Sequence, residues 1–173
     1  MKKTTLIAVL AAAGMCPAVF AADGTINFTG SIRDTACTVN TSSATQTVNL
    51  GTVAASSFGA AGTQASATRF TINLTSCPTA VTSASIRFDG PLASGNSSLL
   101  GLTSGTGVAT GVGIGIYEQN STTLIPVGQA SAPVTLSSTG TNALNFIAKY
   151  VSTAATVGAG TANAAATFTV AYN

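Results

Sequence analysis

Residues 24–32 read Gly24-Thr25-Ile26-Asn27-Phe28-Thr29-Gly30-Ser31-Ile32. Ile26, Phe28, Gly30 and Ile32 fall on one face, with Thr25, Asn27, Thr29 and Ser31 on the other. This is an amphipathic strand with one side chain missing, at Gly30. A glycine inside a strand weakens it, unless another surface must approach closely there. The far end of the chain carries the same pattern. Residues 166–173 read ATFTVAYN, with Phe168, Val170 and Tyr172 on one face and the aromatic in the penultimate place. Chain ends are usually frayed and polar. Both of these have the pattern of segments built for burial.

Between them the chain reads as β throughout. Thr47-Val48-Asn49-Leu50 alternates. So do 68–74, with Phe70, Ile72 and Leu74 aligned, and 83–88, with Ile86 and Phe88 aligned. Val112, Ile114 and Ile116 alternate with Gly111, Gly113 and Gly115. Leu144, Phe146 and Ala148 share a face that continues to Tyr150. Clusters such as Gly90-Pro91 and 94–98 punctuate these runs. No sustained 3.6-residue period competes with them, so the pattern predicts a sandwich or barrel of short strands. Ser and Thr make up 45 of the residues from Ala22 onward and replace charge as the polar surface. Thr also suits a pleated strand.

Composition removes several functions. Only six Lys or Arg and four Asp or Glu occur among 173 residues, with no His and no Trp. A nucleic-acid interface needs a basic patch, which this chain cannot build. A His-based metal site or nucleophile triad is excluded. Mean hydropathy is +0.47. Yet beyond the N-terminus no apolar run approaches the roughly 18 residues of a membrane helix. The carboxylates Asp23, Asp34, Asp89 and Glu118 spread over 96 positions, so they read as solvated charges rather than an acid–base pair. Lys149 sits inside a strand pattern, and nothing near it supports a Ser–Lys pair. Gly105, Gly107 and Gly111 miss the dinucleotide-binding spacing and lead into a strand rather than a helix. The five Asn-x-Ser/Thr triplets, at Asn27, Asn40, Asn73, Asn96 and Asn120, follow from composition. The sequence thus predicts no catalytic residue, no metal, no cofactor and no enzyme.

Met1-Lys2-Lys3, the apolar run 6–13 and the small residues Val19 and Ala21 form a secretory signal peptide, residues 1–21. Cleavage is expected after Ala21, with Ala22 as the near alternative. Met15 is too large for the position before a lipidated Cys16. Removal of the leader takes away Lys2, Lys3 and Cys16. What remains is 152 residues of zero net charge with two cysteines, Cys37 and Cys77. A pair of cysteines in an exported chain reads as one disulfide.

With these features in place, the sequence resembles the subunits of chaperone–usher (type 1-like) fimbriae. The resemblance rests on Gly30 seven residues before Cys37, on Cys37-Thr38-Val39, and on Gln46-Thr47-Val48-Asn49-Leu50-Gly51. It continues with Cys77 forty residues after the first cysteine, Asn145-Phe146-x-Ala148-x-Tyr150 and Ala162-Asn163-Ala164. Gly160, fourteenth from the end, and penultimate Tyr172 complete it.

The resemblance implies an all-β, incomplete immunoglobulin-like β-sandwich that lacks its last strand and is completed by donor-strand exchange. It implies a donor-strand extension at 22–35 and a pilin domain at 36–173. Ile26, Phe28 and Ile32 are then the knobs that enter a neighbour's groove, and Gly30 sits where the groove is shallow. Gly160, Phe168, Val170 and Tyr172 belong to the C-terminal segment that binds a chaperone or neighbour. Cys37 and Cys77 staple the first strands together. The implied partners are identical or related pilin subunits in a head-to-tail polymer, a periplasmic fimbrial chaperone and an outer-membrane usher. No nucleic acid and no membrane insertion are expected. The implied function is that of a structural subunit of an adhesive fimbria on the bacterial surface, exported through the periplasm. A minor adaptor or tip-associated subunit is the alternative. In a subunit standing alone, residues 22–33 are expected to be loose or folded into its own groove.

Overall fold

The computed structural model of the chain describes residues 24, 26–30, 32 and 36–173. The expected leader, its cleavage point and Cys16 lie outside the described residues, as do Asp23, Arg33 and Asp34. The chain divides into two units, Met1–Ile32 and Arg33–Asn173. In the first, the described residues belong to no helix or strand.

In the second unit the strands follow in chain order: β1 (Thr38–Val39), β2 (Gln64–Thr75), β3 (Ser83–Asp89), β4 (Leu92–Ala93), β5 (Asn96–Leu100) and β6 (Val112–Glu118). Then come β7 (Leu124–Ile125), β8 (Val134–Thr135), β9 (Asn142–Ser152) and β10 (Thr167–Tyr172). One sheet has the order β1-β2-β9-β6-β5-β4, with β7 also on β6; the other has the order β10-β3-β8. Every pairing between named strands is antiparallel. The fold is the expected all-β sandwich. A single α-helical turn, α1 (Thr41–Ala44), was not signalled by any period. Asn40 caps it by accepting from the Ser42 N–H.

The five longest strands are those whose alternation the sequence displays. Their inward residues make one core between the sheets, in which Ile72, Leu74, Ile86, Leu144 and Phe146 are essentially fully buried. Phe70 and Phe146 from the large sheet meet Phe88 from the small one. The Phe88 and Phe146 rings stand edge to face at 5.2 Å between centroids. Each fully buried side chain of this size contributes about 1.5–3 kcal/mol, so this contact does much to join the layers.

The outer face of the large sheet explains the glycines of β6. A Cβ on Gly113 would stand 2.8 Å from the Ala93 Cβ, and one on Gly115 would stand 2.7 Å from the Tyr117 ring. Their absence lets the β4–β5 hairpin and the Tyr117 ring lie against the sheet. A second small cluster of Ala93, Leu99, Tyr117, Ile147 and Val151 results. Lys149 lies in β9, as its strand pattern implied, and is buried beside this cluster. Its ammonium donates to Gln64 Oε1 at 2.9 Å and to the Ser121 carbonyl at 2.5 Å, and lies 4.5 Å from the Tyr117 ring centroid.

Cys37 and Cys77 form a disulfide, with 4.1 Å between their Cα atoms. It flanks the β1–β2 pair, in which Thr38 faces Thr75 and Val39 faces Leu74. The staple closes a loop of 40 residues, which is worth on the order of 2–4 kcal/mol.

Candidate assembly groove

β10 pairs with β3 from Thr167↔Asp89 to Tyr172↔Ala84 and with no other named strand. Its alternation places Phe168, Val170 and Tyr172 toward the core, half-buried against it. The ladder runs to the end. Asn173 N donates to the Ser83 carbonyl, while the Thr82 and Ser83 N–H groups donate back to Asn173 O at 3.1 and 3.3 Å. The Tyr172 hydroxyl donates to the Cys37 carbonyl at 3.3 Å and so ties β10 to the disulfide. Burial pushes the Tyr172 phenol pKa up.

Facing the other long edge of β10 is the segment 46–51. The sequence pattern predicts a strand here. The structure gives an extended wall with Val48 half-buried and Leu50 buried, but no strand ladder. Side-chain hydrogen bonds between it and β2 hold it instead. The Ser66 hydroxyl donates to the Leu50 carbonyl. Thr68 Oγ1 reaches the Asn49 carbonyl at 3.4 Å, and Gln46 Nε2 reaches the Thr71 carbonyl at 3.3 Å. Ser66 can do this because it sits in a β-bulge, where the β2–β9 register shifts, with a positive φ of 58°. Periodicity gave no signal for this role. A serine that breaks the alternation of a long strand was the one visible trace.

Between wall and β10 lies a groove of about 700 Å³. Its floor is Phe70, Ile72, Ile114, Ile116 and Ala148 from the large sheet and Phe88 from the small one. These are core side chains: Phe70 is half-buried and the other five are buried at the bottom of the groove. Among the described residues, the main-chain groups of 46–51 make no backbone–backbone hydrogen bond to another strand. A second cavity of about 360 Å³ continues past Gly51, between 52–58 and 157–163.

Of the residues singled out in sequence, Phe168 lines the groove. Val170 and Tyr172 continue its face. Gly160 lies outside β10 and lines the second cavity. A Cβ on Gly160 would come within 2.5 Å of the Gly107 carbonyl oxygen, so the loop 107–109 of this chain demands the glycine. Ile26, Phe28 and Ile32 belong to the first unit, with 78%, 91% and 103% of their surface exposed. Nothing lies within 4 Å of where a Gly30 Cβ would stand. The described carboxylates have local partners: Asp89 pairs with Arg87 at 2.8 Å, and Glu118 accepts from the Ala132 N–H at 2.7 Å.

Residues 26–173 match the sequence profile of the fimbrial protein family. The chain is 41% identical to the probable major fimbrial subunit LpfA of Escherichia coli O157:H7, over 98% of this chain and 97% of that one. It is 37% identical to long polar fimbria protein A of Salmonella typhimurium, over 99% and 98%. Among solved structures, an antigen and type I fimbria protein of Burkholderia pseudomallei matches with a TM-score of 0.60 and 33% identity, over 81% of this chain and 91% of that one. The P pilus rod subunit PapA shares the fold, with a TM-score of 0.65 at 23% identity, over 79% and 99%. The chain belongs to the fimbrial protein family and is a fimbrial subunit.

Proposed function

We propose that this subunit builds the shaft of a bacterial surface fimbria by donor-strand exchange, without enzymatic activity. The observation that carries this is the groove that lies over the core between the 46–51 wall and the unpaired edge of β10. An exposed apolar groove flanked by unpaired strand edges is an aggregation hazard. It is relieved when a strand from another chain adds to the edge, a recognition mode for which pilins are a standard example. The donor is the 22–35 extension of the next subunit, with Ile26, Phe28 and Ile32 as knobs and Gly30 at the shallow place. Gly160, Phe168, Val170 and Tyr172 form the receiving side. A head-to-tail contact of this kind does not close, so it generates a filament.

Before assembly a periplasmic chaperone occupies the groove, and an outer-membrane usher exchanges it for the neighbour's extension. The leader, residues 1–21, directs export and is removed. The domain that remains folded on its own chain is 36–173. The zero net charge of the mature chain allows identical subunits to pack without long-range repulsion. The test is fibre formation by Phe28→Asp in the native host. Electron microscopy should show no fibres, while the subunit itself stays folded and disulfide-bonded. Fibres of ordinary length from Phe28→Asp would overturn strand donation.

A further inference from the structure

The start of the folded domain and the end of β10 meet at one place, although they belong to different sheets. Cys37 is buried and bonded to Cys77. From the small sheet, the Tyr172 hydroxyl crosses to the Cys37 carbonyl at 3.3 Å. Cys77 leads into Thr82 and Ser83, whose N–H groups donate to Asn173 O at 3.1 and 3.3 Å. The Thr82 hydroxyl donates to the same oxygen at 3.2 Å. Cys37, Cys77, 82–83 and 172–173 thus close a ring of contacts, one of them covalent. The ladder that follows Cys37 is short. β1 pairs with β2 only at Thr38↔Thr75 and Val39↔Leu74. A pull on the chain before Cys37 would open such a ladder one residue at a time, unless Cys37 itself is held.

We infer that this ring is a clasp through which tension on the fibre crosses each subunit, with the Tyr172 hydroxyl as its link between the sheets. This rests on the strand-donation reading above. Subunits joined head to tail stand in series, so each one carries the whole pull on the filament. The pull enters along β10, beside the strand received from a neighbour. It leaves at Cys37, where the chain's own extension begins. β10 pairs only with β3, whereas Cys37 sits beside β1 and β2 in the other sheet. Between those sheets the core is packed apolar side chains. Such packing is non-directional. It resists separation of the sheets better than it resists one sheet sliding over the other. A hydrogen bond and a disulfide are directional, and here they span the same gap. The clasp therefore passes the pull from β10 to Cys37 without drawing it through the core.

The test holds single fibres of the full-length subunit, made in the native host, at constant tension and records the time to rupture at matched length. Tyr172→Phe keeps the packed ring and removes the hydroxyl. Without load, its fibres should live no more than about threefold shorter than the parent's, as the loss of one hydrogen bond allows. As tension rises, the ratio should grow to about tenfold or more, because rupture under force follows the barrier along the pulled path. Gly113→Val disturbs the hairpin on the outer face and leaves the clasp alone, so its ratio to the parent should stay the same at every tension. A Tyr172→Phe ratio that stays constant as tension rises would show a merely structural hydroxyl and overturn the inference. So would a Gly113→Val ratio that grows in step with it. Either result leaves strand donation standing as long as Phe28→Asp makes no fibres. Thr82→Val covers the case in which Tyr172→Phe yields no fibres. It removes the hydroxyl bond to Asn173 O from the other side of the ring. Its ratio should also grow with tension, and a constant ratio there would sink the clasp.

Discussion

Ser66 shows how much of this fold rests on single hydroxyl groups. Its backbone adopts a φ of 58°, which costs a non-glycine residue on the order of 1 kcal/mol. That conformation aims its hydroxyl at the Leu50 carbonyl. Ser66→Ala should lose the bond and keep the strained backbone, lowering stability in urea unfolding by about 1 kcal/mol. Ser66→Gly also loses the bond but relieves the backbone, so it should be less harmful than Ser66→Ala. The reverse order would mean that the bulge, not the hydroxyl, holds the wall.

The tyrosines give a second expectation at this scale. Burial raises the pKa of Tyr117, Tyr150 and Tyr172 above the usual phenol value near 10. The unfolded chain ionises first, so their contribution is intact below pH about 10 and declines as the pH rises toward the folded values. Melting temperature should therefore hold to about pH 10 and then fall. Tyr172→Phe should lower stability at neutral pH and flatten the alkaline decline.

At the scale of elements, alternation was readable wherever a strand was long enough to bury one face. Phe70-x-Ile72-x-Leu74 and Leu144-x-Phe146-x-Ala148 carry their own sheet assignment, because register and burial are linked by the period of two. The two-residue strands β1, β4, β7 and β8 were not legible. Their pairing is fixed by the backbone they meet, and two residues hold no period. The wall 46–51 was misread for a related reason. Its side chains alternate as in a strand, but among the described residues it has no ladder partner, and side-chain bonds to β2 hold it instead. The glycines of β6 were legible as one face of a strand, but not as a contact surface, because the hairpin that lies on them comes from 92–100. Gly113→Val tests that contact. Its added side chain must displace Ala93 and the Leu100 carbonyl, which stands 2.9 Å from the ideal Cβ position. The expected loss is about 1–3 kcal/mol, measured by chemical denaturation of the oxidised subunit. A neutral result would mean that β4 and β5 are free to move off the sheet.

At the scale of the whole molecule, the amphipathic pattern of both end segments was legible, and the structure makes the C-terminal one a strand, β10. The sequence could not display the groove, which is assembled from residues as far apart as Leu50, Phe88, Ala148 and Phe168. A groove over the core has a thermodynamic consequence if a strand fills it. Anything that binds the folded subunit and not the unfolded chain stabilises it by mass action. A peptide spanning residues 23–35, held at a hundred times its dissociation constant, should therefore add about 2.7 kcal/mol to the monomer. The melting temperature should rise with each tenfold increase in peptide. Salt should matter little, since the knobs Ile26, Phe28 and Ile32 are uncharged. The polymer, where the effective donor concentration is far higher, should melt above any peptide-saturated monomer. A monomer that melts as high as the polymer and ignores the peptide would have a core already complete. The groove would then be a surface cleft, and the fibre would have to be held together elsewhere.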